Sequence, residues 1–107
     1  MSEGYEILSL DEVEAAPHAL GFRAAAVNAW KADTGGQLIP PREEDSGNEE
    51  LYAVVRGRAR FTVGEEEAEA PAGTLVFVPP DVFRTAVAAE EGTIVLVVGG
   101  TVGEAFA

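Results

Sequence analysis

The stretch that decides the fold is residues 73–84, which read Gly-Thr-Leu-Val-Phe-Val-Pro-Pro-Asp-Val-Phe-Arg. Five residues separate Gly73 from Pro79, and four separate Pro79 from Arg84. Upstream, residues 50–57 begin with Glu, end with Gly and hold six residues between the two. Glycine accepts backbone angles that other residues avoid, and proline fixes its own φ. This spacing therefore predicts short strands joined by tight corners.

Apolar runs fill the intervals between the glycines and prolines in the rest of the chain. They are rich in β-branched and aromatic residues and are too short for helices of ordinary length, which is typical of an all-β sandwich or barrel. The predicted strands are Leu51 to Val55, Ala59 to Val63, Thr74 to Val78, Val82 to Val87 and Thr93 to Val98.

Other segments carry weaker signals. Phe22 to Trp30 is predicted to add an early strand, and Leu10 to Ala16 a single helical turn. Val63 to Glu69 is typical of a hairpin with glycine and acids at its tip. Pro40-Pro41 is interpreted as a break between strands, and Gly99 to Thr101 as a terminal turn.

The two faces of the predicted strands differ in what they imply. A period of two places Glu50 and Tyr52 on one face of their strand and Leu51 on the other. Residues 94–98 are apolar at every position, so this strand needs cover on both faces. A homodimer interface is the simplest cover, and we predict one. The alternative is cover by the N- or C-terminal segment of the chain itself.

Composition limits the class of protein. With 107 residues, 47% of them hydrophobic, the chain is expected to form a single domain, 1–107. It carries 19 Asp and Glu against 7 Lys and Arg, a formal net charge of -12. Binding to nucleic acid or to anionic membranes depends on Lys and Arg, so neither is an expected partner. No signal peptide or membrane span is recognisable, and a cytoplasmic protein is predicted.

Two residue counts exclude whole kinds of chemistry. The chain has no cysteine, which excludes disulfides, thiolate zinc sites, iron–sulfur clusters and a cysteine nucleophile. It has one histidine, His18, so a site built from several imidazoles of one chain is excluded. His18 lies far from the glycine–proline pattern and is interpreted as a surface residue rather than a general base.

The spacings of residues 50–57 and 73–84 resemble the two motifs of the cupin family. The resemblance covers about residues 39–99, and the chain is similar to small single-domain bacterial cupins of the type-2, RmlC-like group. It implies a jelly-roll β-barrel, or double-stranded β-helix, of antiparallel strands. In this chain Asp81 stands where the second motif usually has Gly, and Arg84 where it usually has His.

The resemblance also implies a metal site, which this chain departs from. Metal-binding cupins hold a divalent ion with two His and a Glu of the first motif and one His of the second. The matching first-motif positions here are Glu44 and Ser46, or Glu43 and Asp45 with a spacer one residue longer. Asn48 is a further position at which related sequences carry His. Only Glu50 remains as a plausible ligand.

A guanidinium in place of the imidazole is incompatible with the usual ion, because it has no lone pair to give and repels a cation. We therefore predict no metal site and no cofactor. An oxygen-rich site for magnesium, calcium or manganese, built from Glu43, Glu44, Asp45 and Glu50, is the alternative. A solvated acidic loop is the interpretation that we favour for these residues.

The candidate binding residues are Arg84, Glu50, Tyr52, Asn48 and Phe77, with no catalytic residue assigned. Arg84 is expected either to pair with Glu50 in place of the ion or to grip a carboxylate or phosphate ligand. The favoured function is binding of a small molecule, anionic ones included, in the barrel.

The alternative functions belong to other classes. One is a metal-dependent oxygenase or isomerase with an oxygen-rich site, and another is a metal-free lyase or isomerase with Glu50 as base and Arg84 as stabiliser. A third is a structural dimer module with a filled barrel. The aromatic residues fit a pocket or a plain core, and we favour the core for the set Trp30, Tyr52, Phe61, Phe77 and Phe83.

Overall fold

The computed structural model describes residues 7–13, 18–19, 25–42 and 47–101. Apart from one short 3-10 helix, Leu10–Glu12, its regular elements are antiparallel strands. The strands are β1 (His18–Ala19), β2 (Ala26–Ala32), β3 (Gln37–Arg42), β4 (Asn48–Arg56), β5 (Arg58–Val63), β6 (Glu66–Pro71), β7 (Leu75–Val78), β8 (Arg84–Ala88) and β9 (Thr93–Thr101). Among the described residues, no helix is long and apolar enough to cross a membrane.

Two sheets face each other across one core. The first sheet has the strand order β1-β2-β9-β4-β7, and the second has the order β3-β8-β5-β6. The core is formed by apolar side chains of both sheets, among them Tyr52 and Val97 of the first and Phe61 and Ala86 of the second. This arrangement confirms the predicted antiparallel jelly roll.

Strand β4 shows the predicted alternation between the two faces. Tyr52 and Val54 are buried in the core, whereas Leu51 and Val55 are exposed on the outer face. Glu50 precedes them on the inner face and is almost fully buried. The period of two therefore identified the inner residues of this strand correctly.

Gly57 forms the corner between β4 and β5. Its φ is 79°, and a Cβ at this position would lie 2.5 Å from Oγ1 of Thr93. That oxygen accepts from the backbone N–H of Arg58 at 3.2 Å and donates to the carbonyl of Glu90 at 2.8 Å. The glycine at the end of the first motif thus permits a close approach that no side chain allows.

Several strand boundaries differ from the predictions. Pro40 and Pro41 were expected to break the chain, but they lie within β3, an edge strand, where a missing N–H can face away from the sheet. Gly99 to Thr101 were expected to form a turn, but β9 continues to Thr101 because all three residues pair with β4. The hairpin joining β5 and β6 is confirmed.

The structure describes part of each of the two predicted N-terminal elements. The helical turn is confirmed at Leu10–Glu12, where Ser9 forms a capping box with Glu12, while residues 14–16 lie outside the described residues. The early strand is found as β2, Ala26–Ala32, and residues 22–24 also lie outside the described residues.

Strand β9 is covered on its outer face at one end by the chain itself. Ile94 and Ala29 form a small cluster with Val13, against which Leu8 and Leu10 pack. The N-terminal segment therefore supplies the cover at this end, which is the alternative to a dimer interface there. Farther along the same face, Leu96 and Val98 are only partly buried.

Candidate functional site

A charged cluster lies in the core where the two motifs meet. Strand β4 directs Glu50 and Tyr52 inward, and β8 begins with Arg84, which faces them. Arg84 Nη1 donates to Glu50 Oε1 at 2.8 Å, and the hydroxyl of Tyr52 donates to the same oxygen. The structure thus brings together three of the predicted binding residues.

The remaining donors of Arg84 are held by the loop that precedes β8. Its Nε donates to the carbonyl of Val82 at 3.1 Å, and Nη2 donates to the carbonyl of Pro79 at 2.9 Å. The side chain is fully buried, with 0% exposure. Each nitrogen of the guanidinium therefore has a protein partner, and the second motif encloses the charge that it introduces.

Tyr52 contributes to the cluster as a protonated donor. Burial raises the pKa of its phenol well above the ordinary value, and the neighbouring carboxylate of Glu50 raises that pKa further, while Arg84 opposes the shift. The phenol is therefore neutral at physiological pH. Its ring also contacts Phe61, with the ring centroids 5.5 Å apart, so the hydroxyl is positioned by core packing.

Gly99 makes room for the glutamate. It lies directly opposite Glu50 in the β4–β9 ladder, and a Cβ there would be 2.9 Å from Glu50 Cγ and 3.2 Å from the carbonyl oxygen of Glu49. A Cβ on Gly100 would meet nothing within 4 Å. This role of Gly99 was not predicted from the sequence. The only signal was a glycine pair ending an apolar run, and its register opposite Glu50 is not a local property.

Asp81 adopts a backbone conformation that glycine accepts freely. Its φ is 70°, which makes it the one non-glycine residue with a positive φ in the described part of the chain. Aspartate tolerates this left-handed region better than most residues do. The departure from the second motif at this position therefore leaves the turn before Arg84 intact.

The other predicted binding residues lie away from the buried cluster. Asn48 accepts a hydrogen bond from Thr101 Oγ1 at 2.7 Å, across the β4–β9 ladder. Phe77 pairs with Leu51 on the outer face of the sheet and is 58% exposed. It is neither in the core nor inside the barrel, because β7 places Val76 and Val78 on its inner side. The core interpretation holds for Trp30, Tyr52 and Phe61.

A groove of about 290 Å³ lies beside the cluster. It is lined by Gly99 and Gly100, which have no side chains to fill it. Leu51, Phe77 and Val98 add apolar surface. Glu50 and Thr101 also line it. The groove therefore places apolar side chains next to Glu50. Its volume suits part of a small molecule.

The residues present do not fit the metal that the cupin resemblance implies. The guanidinium of Arg84 lies 2.8 Å from Glu50, the one carboxylate retained from the ligand set, and a cation without a lone pair cannot serve as a ligand. No group of three or more His, Cys, Asp or Glu residues in the described ranges could hold a metal ion. Glu43, Glu44, Asp45 and Ser46, and the side chain of His18, lie outside the described residues.

Solved structures with a similar fold come from several organisms. A cupin protein from Bacteroides fragilis matches 94% of this chain and 87% of its own, with 23% identity and a TM-score of 0.75. An uncharacterised protein with a double-stranded β-helix domain from Klebsiella pneumoniae matches 94% and 93%, with 21% identity and a TM-score of 0.76. The Cnp3 cupin domain of Schizosaccharomyces pombe matches 87% and 72%, with 15% identity and a TM-score of 0.74.

At identities this low, these likenesses show the fold alone. No curated protein matches the chain. A family model described as the cupin domain matches residues 32–100, which is well over half of the sequence. That range contains both motifs and all three members of the buried cluster. The chain therefore belongs to the cupin family.

Proposed function

We propose that this cupin works without a metal ion and binds a small molecule in the groove beside Glu50. The observation that carries the proposal is the buried Arg84–Glu50 pair, with its 2.8 Å contact and fully buried guanidinium. Within the pair, Arg84 supplies the positive charge beside Glu50 that an ion supplies in metal-binding cupins. The cluster then acts as a fixed support, and ligand contacts come from the groove.

Arg84 is better suited to this support role than to gripping an anion. Its three nitrogens already donate to Glu50, Val82 and Pro79, and no part of the side chain reaches solvent. An anionic ligand would have to break these bonds before it could replace them. The groove instead offers apolar walls, with the hydroxyl group of Thr101 at its border. This favours a small molecule with an apolar body and hydroxyl or amine donors.

The same contacts favour binding over catalysis. A lyase or isomerase would need Glu50 to take a proton from substrate, but Oε1 already accepts from Arg84 and Tyr52. It would also need Arg84 to stabilise charge on the substrate, which a fully enclosed guanidinium does not reach. We therefore propose a binding module rather than an enzyme. The cytoplasmic location remains a prediction from the sequence.

Metal analysis tests the first half of the proposal. Protein purified without added metal is expected to carry well under one equivalent of iron, nickel, copper or zinc by mass spectrometry, because Arg84 occupies the position of a ligand. Stoichiometric metal that resists mild chelation would contradict the proposal. Metal content measured by mass spectrometry after incubation with magnesium, calcium or manganese tests the oxygen-rich alternative.

A ligand screen with a blocked groove tests the second half. Small hydroxylated compounds and amines with an apolar part are expected to raise the melting temperature of the wild type, since a ligand at 100 times its Kd adds about 2.7 kcal/mol. Gly100→Leu should abolish this response, because its side chain enters the groove without contacting the cluster. Glu66→Leu, on the exposed β6 strand, is the control and should respond like the wild type.

Two outcomes of the screen would contradict the groove proposal. One is an unchanged response in Gly100→Leu. The other is a response confined to small carboxylates and inorganic phosphate that is lost in Arg84→Met, which would return Arg84 to the role of anion anchor.

A further inference from the structure

The wall of the groove carries a carboxylate beside its apolar side chains. Glu49 is exposed and lines the groove together with Leu51 and Phe77. Glu49 and Leu51 are two positions apart on β4, so both lie on the face of the strand opposite to that of Glu50. From this arrangement we infer that the groove selects organic cations, in which an ammonium group is joined to a small apolar body. The inference rests on the proposed function, since it names the class of ligand for the same groove.

Strand register places the carboxylate near an aromatic ring. Leu51 pairs with Phe77 in the β4–β7 ladder, which makes Glu49 the diagonal neighbour of Phe77 on the same face. Diagonal neighbours in antiparallel strands lie about 7–8 Å apart, within reach of long and aromatic side chains. Phe77 is 58% exposed, so much of its ring is open to a ligand. An ammonium group between the two side chains contacts both a carboxylate and the negative face of a ring.

Gly100 leaves space next to the carboxylate. It pairs directly with Glu49 in the β4–β9 ladder, and a Cβ on it would meet nothing within 4 Å. Gly100 also lines the groove. With a volume of about 290 Å³, the groove lies at the lower end of the range for ligand pockets. A ligand with one small ring and a short ammonium arm therefore suits this space better than a larger molecule does.

The described part of the chain supplies no cation to Glu49. Its carboxylate takes part in none of the ion pairs found there, whereas Glu69, also exposed, is paired with Arg60. Among the described residues that line the groove, none is Lys or Arg. Arg84 is fully buried on the inner side of the sheet, where it donates to other partners. An ammonium group of a ligand is therefore the natural partner of this carboxylate.

The cations of the neighbouring strands lie at the other end of the sheet. Lys31 of β2 and Arg56 of β4 both pair with Ile94, six positions along β9 from Gly100, or about 20 Å at the rise of a strand. Arg56 is bound by Asp11 at 2.8 Å. The net charge of -12 also attracts cations from solution and repels anions. Charge thus favours an ammonium ligand over a neutral or anionic ligand of the same shape.

Titration of the full chain, followed by NMR, tests the inference with three probes that share one ring. Benzylamine is cationic at neutral pH, benzyl alcohol is neutral and benzoate is anionic. The wild type should bind benzylamine about fivefold more tightly than benzyl alcohol, because an exposed charge pair and a cation–π contact each add a modest amount. Benzoate should bind most weakly. Shifts of the backbone amide signals of Gly99 and Gly100 locate the probe in the groove.

Three variants separate the local charge from the overall charge. Glu49→Gln keeps the size of the side chain and should reduce the preference for benzylamine over benzyl alcohol to about twofold or less. Phe77→Leu keeps an apolar wall and should also reduce this preference, because the ring is lost. Glu67→Gln is the matched control, since it removes the same charge from the exposed β6 strand of the other sheet. It should prefer the amine as the wild type does. All three positions are exposed, so folding should be retained, which circular dichroism checks.

Two results would overturn the inference and leave the proposed function intact. One is equal affinity of the wild type for benzylamine and benzyl alcohol, with both probes shifting the signals of Gly99 and Gly100. The other is a preference for the amine in Glu49→Gln that is no smaller than in Glu67→Gln, because the overall charge would then be its cause. A groove that binds none of the three probes would overturn the inference and the proposed function together.

Discussion

At the scale of single residues, the buried pair of Arg84 and Glu50 governs the inside of the barrel. Moving both charges out of water is costly, and their attraction offsets that cost only when the geometry is good and the remaining donors are bonded. Here Arg84 meets this condition with two backbone carbonyls besides the carboxylate. Such a pair adds little net stability, but removing one partner leaves the other charge in the core without that counter-charge.

A double-mutant cycle measures this coupling. Arg84→Met is expected to destabilise the protein by about 3–5 kcal/mol, because the carboxylate of Glu50 loses its cation inside the core. Arg84→Met combined with Glu50→Gln should recover much of that loss, because the stranded charge is removed as well. Chemical denaturation of the wild type, Arg84→Met, Glu50→Gln and the double variant gives the four free energies of unfolding that close the cycle.

Arg60→Met is the control for this cycle. Arg60 makes a similar contact with Glu69, at 2.7 Å, but on the exposed surface, where an ion pair is worth about 1 kcal/mol or less. A loss in Arg84→Met no larger than the loss in Arg60→Met would show that the core pair is not coupled as described. Failure of Glu50→Gln to restore stability would show the same.

The raised pKa of Tyr52 predicts a pH dependence at the alkaline end. In the unfolded chain the phenol loses its proton near the ordinary value of 10, but burial and Glu50 hold the proton in the folded state. The contribution of this group to the free energy of unfolding is therefore fully present below about pH 10. Above that pH it falls by up to about 1.4 kcal/mol per pH unit. Tyr52→Phe lacks this group and should show a flatter curve in urea denaturation. Parallel curves for the two proteins would contradict the assignment.

At the scale of elements, the contact between β4 and β9 determines whether Glu50 fits. Gly99→Ala should destabilise the protein by about 1–3 kcal/mol, because its methyl group would force Glu50 or the β4 backbone to move. Gly100→Ala is the control, since the added methyl group meets nothing. It should be neutral or slightly stabilising, because alanine loses less entropy on folding. Equal effects of the two changes, measured by thermal unfolding, would mean that the close approach is absent.

At the scale of the whole molecule, the two sheets divide their faces between different roles. The inner faces enclose the core and the charged cluster. The outer face of the first sheet is covered by the N-terminal segment at Ile94 and left apolar and exposed at Leu75 and Phe77.

The sequence by itself determined the fold and the inner face of β4. Glycine and proline spacing and the period of two act over a few residues, so they can be recognised in one chain without any knowledge of its packing. Glu50 and Arg84 could be singled out in the same way, since a glutamate and an arginine stand at ligand positions of two recognisable motifs. The replacement of imidazole by guanidinium already predicted the loss of the usual ion, because the lack of a lone pair is a property of the side chain alone.

The tertiary structure decided how these residues meet. Two roles were open for Arg84 from the sequence: pairing with Glu50 or binding an anionic ligand. The carbonyls of Pro79 and Val82 decide between them, because the turn before β8 brings them within hydrogen-bond distance of the guanidinium. The role of Gly99 depended on the register between strands that are 49 positions apart along the chain. The exposure of Phe77 depended on which segments cover the outer face. Strand register and cover are non-local, because they follow from the packing of the whole chain rather than from the pattern of any one strand.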